Sequence, residues 1–352
     1  MTINLQTSKG SLLTKLVYLS VSVVAISGLY NSINQTNVSL DTAWEELEKY
    51  KSLFGELPAV GNGENTASTA GALGVDVNVF LKDVYKYKPP SDVSQQEYDI
   101  EEYCGSSPDF EAFFALPGTT VRSRHKEDKI IYDTFFKNNF DEEGTYIELG
   151  PFDGLRGANT HFFDKCLKWK GLLLEGNPKH YDKLVANRPN THRMSFAPSC
   201  VQWNDTVTIY TTTFTNAGMS GHAKGYEPDE NNNNNIPQMD VPCGPIGPII
   251  EKVFPSQLQL PARVNFFSLD VEGAEKLVLD TIDFSKVQID VFMINKVNLL
   301  CPVDADCEVR NQVRNKMVNE LGYDIFSLRS NDVYIHPNYK TNPYKNKKAN
   351  MN

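Results

Sequence analysis

The feature that most limits what this chain can fold into is the alternation, from about residue 140 to 336, of short apolar strands with amphipathic helices. Thr145-Tyr-Ile-Glu-Leu149 is a short, mostly apolar run, the pattern of a strand covered on both faces. Asn159–Lys170 reads as a helix, with Phe162, Phe163, Cys166, Leu167 and Trp169 on one side and Gly171 at its end. Leu172-Leu-Leu-Glu175 reads as a second buried strand. Asn177 then caps another helix whose first position is Pro178 and whose apolar face is Tyr181, Leu184 and Val185. Val264–Asp270 is a later strand, Ala274–Ile282 the helix after it, and Gln288–Ile294 the next strand. Val309, Val313, Met317 and Leu321 recur every fourth position on one more helix, which stops at Gly322. Tyr323–Leu328 and Val333–His336 read as a closing hairpin. Repeated strand–helix alternation of this kind predicts a three-layer α/β sandwich with a mainly parallel sheet and a C-terminal antiparallel hairpin.

The two ends carry a different texture. Lys9 and Lys15 lie in an N-terminal stretch without acids, an uncharged run follows from Leu16 to Tyr30, and acids begin only at Asp41, Glu45 and Glu46. A basic flank, an apolar run and an acidic far side predict a cytoplasmic tail over 1–12 and a type II signal anchor over 13–30. The run falls short of the roughly 18 residues of a usual span, so a cleaved signal peptide and a secreted product stay open. Either route leads into the ER or Golgi lumen. Residues 31–95 read as a stem, 96–339 as the catalytic domain and 340–352 as a basic tail. Asn34, Asn37 and Asn204 stand in glycosylation tripeptides, and the six cysteines are an even set that suits an oxidising compartment. Cys301 and Cys307 are the pair near enough in sequence to join. Cys166, on a helix face, is equally readable as a plain buried thiol. No cysteine or histidine spacing points to zinc, and no metal is expected. The formal charge of -10 excludes a nucleic-acid partner, which demands a basic footprint.

In a sheet of this kind ligands sit outside the carboxyl ends of the strands. The residues there are Glu148-Leu-Gly150-Pro-Phe-Asp153-Gly154, then Glu175, then Asp270-Val-Glu272-Gly273. Gly150 and Gly154 let backbone approach a ligand closely. Glu175 ends the next strand, about where an acid grips a ribose diol, so the spacing fits a nucleoside-bearing cofactor. A dinucleotide fingerprint would place glycine where Phe152 stands, which argues against a dehydrogenase. An uncharged glycine turn among acids suits a cofactor that carries a sulfonium and an ammonium. Asp270 and Glu272 are the candidate catalytic acids, with His222 a third choice. Each also has a plain alternative: Asp270 as a helix cap, Glu272 as an acid at a helix N-terminus, and His222 and His161 as ordinary loop and helix-start histidines.

Tyr146-Ile-Glu-Leu-Gly-Pro-Phe-Asp-Gly154, Asn159-Thr160, Trp169–Pro178 and Phe267-Ser-Leu-Asp-Val-Glu-Gly-Ala-Glu275 together resemble the FkbM-type methyltransferases. Val241-Pro-Cys-Gly-Pro245 is similar to their membrane-anchored, Star-like eukaryotic branch. The resemblance implies a Rossmann-like class I methyltransferase fold, S-adenosyl-L-methionine as cofactor, and transfer to a hydroxyl of a glycan or secreted small molecule. It further implies that Glu148, Gly150, Asp153, Gly154, Glu175 and Asn177 hold the cofactor while Asp270 and Glu272 face the reacting centre. One position departs from the family: after the strand ending at Ile294 a glutamate is usual, and this chain has Asn295. That departure leaves open a second function, a binding or trafficking protein that keeps the fold without turnover.

Overall fold

The computed structural model describes residues 84–91, 100–118, 120–138, 143–203, 205–211, 237–255, 261–296 and 307–339. The chain divides into two units, Met1–Ser68 and Thr69–Asn352, and every described residue belongs to the second. The anchor at 13–30, the glycosylation asparagines, His222 and Cys301 lie outside the described residues. Among the described residues no helix is long and apolar enough to cross a membrane.

Seven strands form the central sheet: β1 (Thr145–Leu149), β2 (Lys170–Leu174), β3 (His192–Met194), β6 (Ala262–Leu269), β7 (Val287–Asn295), β8 (Asp324–Ser327) and β9 (Asn331–Ile335). Their order is β3-β2-β1-β6-β7-β9-β8, parallel through β7 and antiparallel at β9 and β8. A separate hairpin pairs β4 (Asp205–Tyr210) with β5 (Gln238–Cys243). The three-layer sandwich and the closing hairpin stand as read from the sequence. The order reverses between β1 and β6, and at that switch point the crevice for a ligand opens.

Alternating strand residues serve two separate cores, which makes the three layers. Ile147, Leu149, Leu172, Leu174, Phe267 and Leu269 face α6 (Gly247–Val253), α7 (Glu275–Asp280) and α8 (Glu308–Arg314), contributing Ile249, Ile250, Val278, Leu279 and Val313. On the opposite face Tyr146, Leu173, Phe266 and Val291 meet α1 (Ile100–Cys104), α2 (Glu111–Ala115), α3 (Glu127–Ile131), α4 (His161–Lys165) and α5 (Pro178–Asn187). That second core is aromatic: Phe162 stands within about 5 Å of Phe114 and Tyr132, ring centre to ring centre (4.6 and 4.8 Å).

Three local expectations are corrected. The helix expected over Asn159–Lys170 ends at Lys165, because Lys168 takes a left-handed φ of 58° that no helix continues through. Gly171 is therefore not a helix stop. It lies in β2, where an added Cβ would stand 2.0 Å from Cζ of Tyr146. Cys166 is not a free thiol but is bonded to Cys104, and a second bridge joins Cys200 to Cys243. Cys307 is also disulfide-bonded. Residues 84–91, read as stem, lie against the edge strand β3: Lys88 bridges to Arg193, and Tyr85 is buried, stacked on Phe196 and donating to the Cys243 carbonyl.

Candidate active site

The glycine loop after β1 is shaped by its neighbours. Gly150 has φ 78°, and an added Cβ would stand 2.2 Å from the Asp270 carbonyl oxygen, so the ends of β1 and β6 come this close only through glycine. Gly154 has φ 82° and is pressed onto α5, where a Cβ would meet Leu184 and Arg188 at 2.7 Å. Asp153 folds the turn between them, its Oδ1 accepting from the amides of Leu155 and Arg156 at 3.0 and 2.8 Å.

Glu148 is buried beneath the loop. Its Oε1 accepts from the Asn159 amide at 2.8 Å and its Oε2 from the amide and hydroxyl of Thr160. Both oxygens thus help fix the loop that leads into α4, with Oε1 accepting one bond and Oε2 two. Arg188, fully buried, completes the support: it pairs with Asp164 at 2.6 Å and donates to the Gly154 carbonyl and the Tyr146 hydroxyl.

Glu175 leaves the end of β2 buried, with Oε1 accepting from the Asn177 amide at 2.8 Å and Oε2 from the Phe152 amide at 3.1 Å. Each oxygen keeps a lone pair for a further donor. Burial pushes its pKa up to about 7, against the two amide bonds. The Asn177 side chain caps α5, its oxygen accepting from the Lys179 amide at 3.0 Å.

Asp270, at the end of β6, accepts from the Asn295 amide nitrogen at 2.7 Å, and burial raises its pKa to about 6. Glu272 follows in a left-handed conformation, φ 50°, and burial together with the Asp270 charge pushes it to about 8. Backbone strain of this kind is held only where the surroundings fix it. Here Glu275 does so: its carboxylate, fully buried and pushed by burial to about 8, accepts from the amides of Val271 and Gly273 at 3.1 and 3.0 Å.

Two adjoining cavities share Gly150, Glu175 and Asp270. The larger, about 300 Å³, is lined by Phe152, Arg156, Asp270, Glu272 and Asn295, with Arg124 and His125 from the segment before α3 and Glu127 from its first position. The smaller, about 70 Å³, is walled by Phe196, Ile209, Val271, Ala274 and Val278. Gly150, Glu175, Asp270 and Glu272 are therefore brought together at one crevice. Asn177 also borders the smaller cavity, while Glu148, Asp153 and Gly154 support it from behind. The sequence reading did not pick out Glu275, Arg124 or Glu127. Glu275 had a signal, an acid just past a glycine turn at a helix start; Arg124 and Glu127 had none, because they reach the site from outside the strand–helix pattern. Among the described residues no cluster could hold a metal ion.

No curated protein sequence matches the chain. A solved structure, the crystal structure of a fibrillarin/Nop5p complex, aligns at 13% identity over 59% of this chain and 77% of that chain, with a TM-score of 0.30, too low to carry an argument. The family model described as the Methyltransferase FkbM domain matches residues 144–324, from the residue before β1 to the start of β8 and across every strand end that forms the crevice. With more than half of its length under that match, the chain belongs to the FkbM methyltransferase family.

Proposed function

We propose that the protein is an S-adenosyl-L-methionine-dependent O-methyltransferase acting on a hydroxyl of a glycan or secreted small molecule in the secretory pathway. The observation that carries this reading is Glu175, a buried carboxylate at the junction of a polar and an apolar cavity with a lone pair free on each oxygen. The residues fit the cofactor: the Phe196–Ile209 crevice suits an adenine, Glu175 a ribose diol, and the loop Gly150–Gly157 the amino-acid end. When bound, the cofactor would supply a methyl group made electrophilic by a sulfonium.

The chain's own part is to orient an acceptor and take its proton. Asp270 is ionised at neutral pH yet more basic than an exposed carboxylate, and it accepts the proton released from the acceptor oxygen. Glu272, pushed higher, holds its proton at neutral pH and donates a hydrogen bond instead. Two acids with pKa values driven apart divide the roles in this way. Asn295 favours turnover over a fold kept only for binding, since its amide stabilises the ionised form of Asp270. The disulfides and the N-terminal sequence pattern support a luminal domain held by a type II anchor.

Calorimetric titration of the full-length protein with S-adenosylmethionine and S-adenosylhomocysteine tests the reading. Micromolar binding, weakened at least about tenfold by Glu175→Ala in a folded variant, is expected. A folded protein that binds neither compound would end the proposal.

A further inference from the structure

The segment Thr120–Lys126 is fixed by an unusual number of buried polar groups. Arg122 donates to the Leu116 carbonyl at 2.8 Å and to Asp128 at 3.2 Å, and Ser123 donates to the same Asp128 oxygen at 2.5 Å. The His161 ring, kept neutral by burial, donates from Nδ1 to the Val121 carbonyl, and Glu127 accepts from the His125 amide at 2.7 Å. Arg122, Ser123, Glu127, Asp128 and His161 are all buried. Burying such groups is unfavourable unless they are paired, and the return is a segment with one defined position. What it presents are Arg124 and His125, both exposed and both on the wall of the larger cavity.

Arg124 makes no ion pair or hydrogen bond among the described residues. Its charge nonetheless reaches Asp270 and Glu272, where it tempers the upward push of burial. Of the acids on the shared wall, Glu127 is engaged with the His125 amide, Asp270 with Asn295 and Glu175 with two backbone amides, while Glu272 is pushed up to about 8 and holds its proton at neutral pH. A guanidinium on a braced segment thus faces the same cavity as the reacting acids without touching them. The space between fits a molecule that offers a hydroxyl to one side and a negative group to the other, and a planar guanidinium is suited to oxyanions. Arg156 stands on the glycine loop itself, beside the place for the cofactor's own carboxylate.

We propose that Arg124 recognises the acceptor, and that the acceptor carries an anionic oxygen group, a carboxylate or a sulfate ester, near the hydroxyl that faces Asp270. This deepens the methyltransferase reading and rests on it. Arg124 is a specificity residue here: the anion selects the molecule, and the methyl transfer proceeds as above.

The test uses the full-length protein saturated with S-adenosylhomocysteine and titrated with methyl glucuronide, methyl galactoside 6-sulfate and the neutral methyl glucoside. At least one anionic probe is expected to bind about tenfold or more tighter than the glucoside, and which one does so names the anion. Arg124→Gln should erase that preference while leaving S-adenosylhomocysteine affinity within about twofold, and Arg124→Lys should keep part of it. Equal binding of charged and neutral probes, or no binding of either anion, overturns the proposal. So does a matching loss of S-adenosylhomocysteine affinity in Arg124→Gln, which would make the guanidinium a cofactor ligand. Failure of the unaltered protein to bind S-adenosylhomocysteine is a different result, since it removes the methyltransferase reading itself.

Discussion

The Asn295 side-chain amide donates to Asp270 across 2.7 Å, a contact that a carboxyl group at position 295 keeps only if one of the two acids holds a proton. Asn295→Asp therefore places two acids on one hydrogen bond. The apparent pKa of Asp270 is expected to rise from about 6 by a further one to two units, read by NMR of isotopically labelled carboxyl carbons. An unchanged titration would show that the two side chains do not share the bond. The sequence identified Asn295 as a departure but gave no direction to its effect. A carboxamide is a weakened carboxylate when considered alone, and becomes a donor that keeps a base ionised only once its partner is known. Glu148 shows the reverse case. The resemblance marks it as a cofactor ligand, and the fold gives it a further part, bracing the loop into α4 through Asn159 and Thr160.

Among the elements, α5 was the most legible, because its boundary signals are local. Asn177 caps it and Pro178 opens it as the sequence requires. The same cap separates a structural role from a binding one. Asn177→Ala is expected to lower stability by about 1 kcal/mol in urea unfolding, with S-adenosylhomocysteine affinity changed less than about twofold, since Glu175 is held by the backbone amide of Asn177. A tenfold loss of affinity would return the side chain to the cofactor site. The helix before β2 was less legible. Its apolar spacing continues past Lys165, but the chain turns left-handed at Lys168 and Cys166 bonds to the distant Cys104, and neither is visible in a local pattern. The short strand β3 and the β4–β5 hairpin escaped for the same reason: their partners lie far away in sequence.

At the scale of the whole molecule the buried acids set the response to pH. Glu175, at about 7, and Glu272 and Glu275, at about 8, are raised chiefly by burial from an ordinary 4.5. The native chain keeps protons there that the unfolded chain has released. Their contribution to stability is complete below the ordinary carboxylate range and is lost as the pH rises through 7 and 8. His161 and His192, lowered by burial to about 3 and about 4, act oppositely, stabilising above 6.5 and losing that contribution as the pH falls. The Tm of the cofactor-free protein should therefore fall by several degrees between pH 6.5 and 8, where the raised carboxyls are unopposed, on the order of 1.4 kcal/mol for each pKa unit crossed. A flat or rising Tm between pH 6.5 and 8 would show these carboxyls to be ionised and solvated.

The sequence by itself determined the layered α/β architecture, the closing hairpin, the family, and the strand ends at which the site lies. Those follow from periodicity and from glycines and acids at fixed offsets within one segment. Tertiary structure decided which acids of those motifs face the crevice, how Asn295 bears on Asp270, which cysteines pair, and that Arg124 reaches the cavity. Each of these is a contact between residues distant in the chain. Its energy comes from burial and partner geometry, which exist only once the sheet has brought the ends of β1, β2, β6 and β7 together.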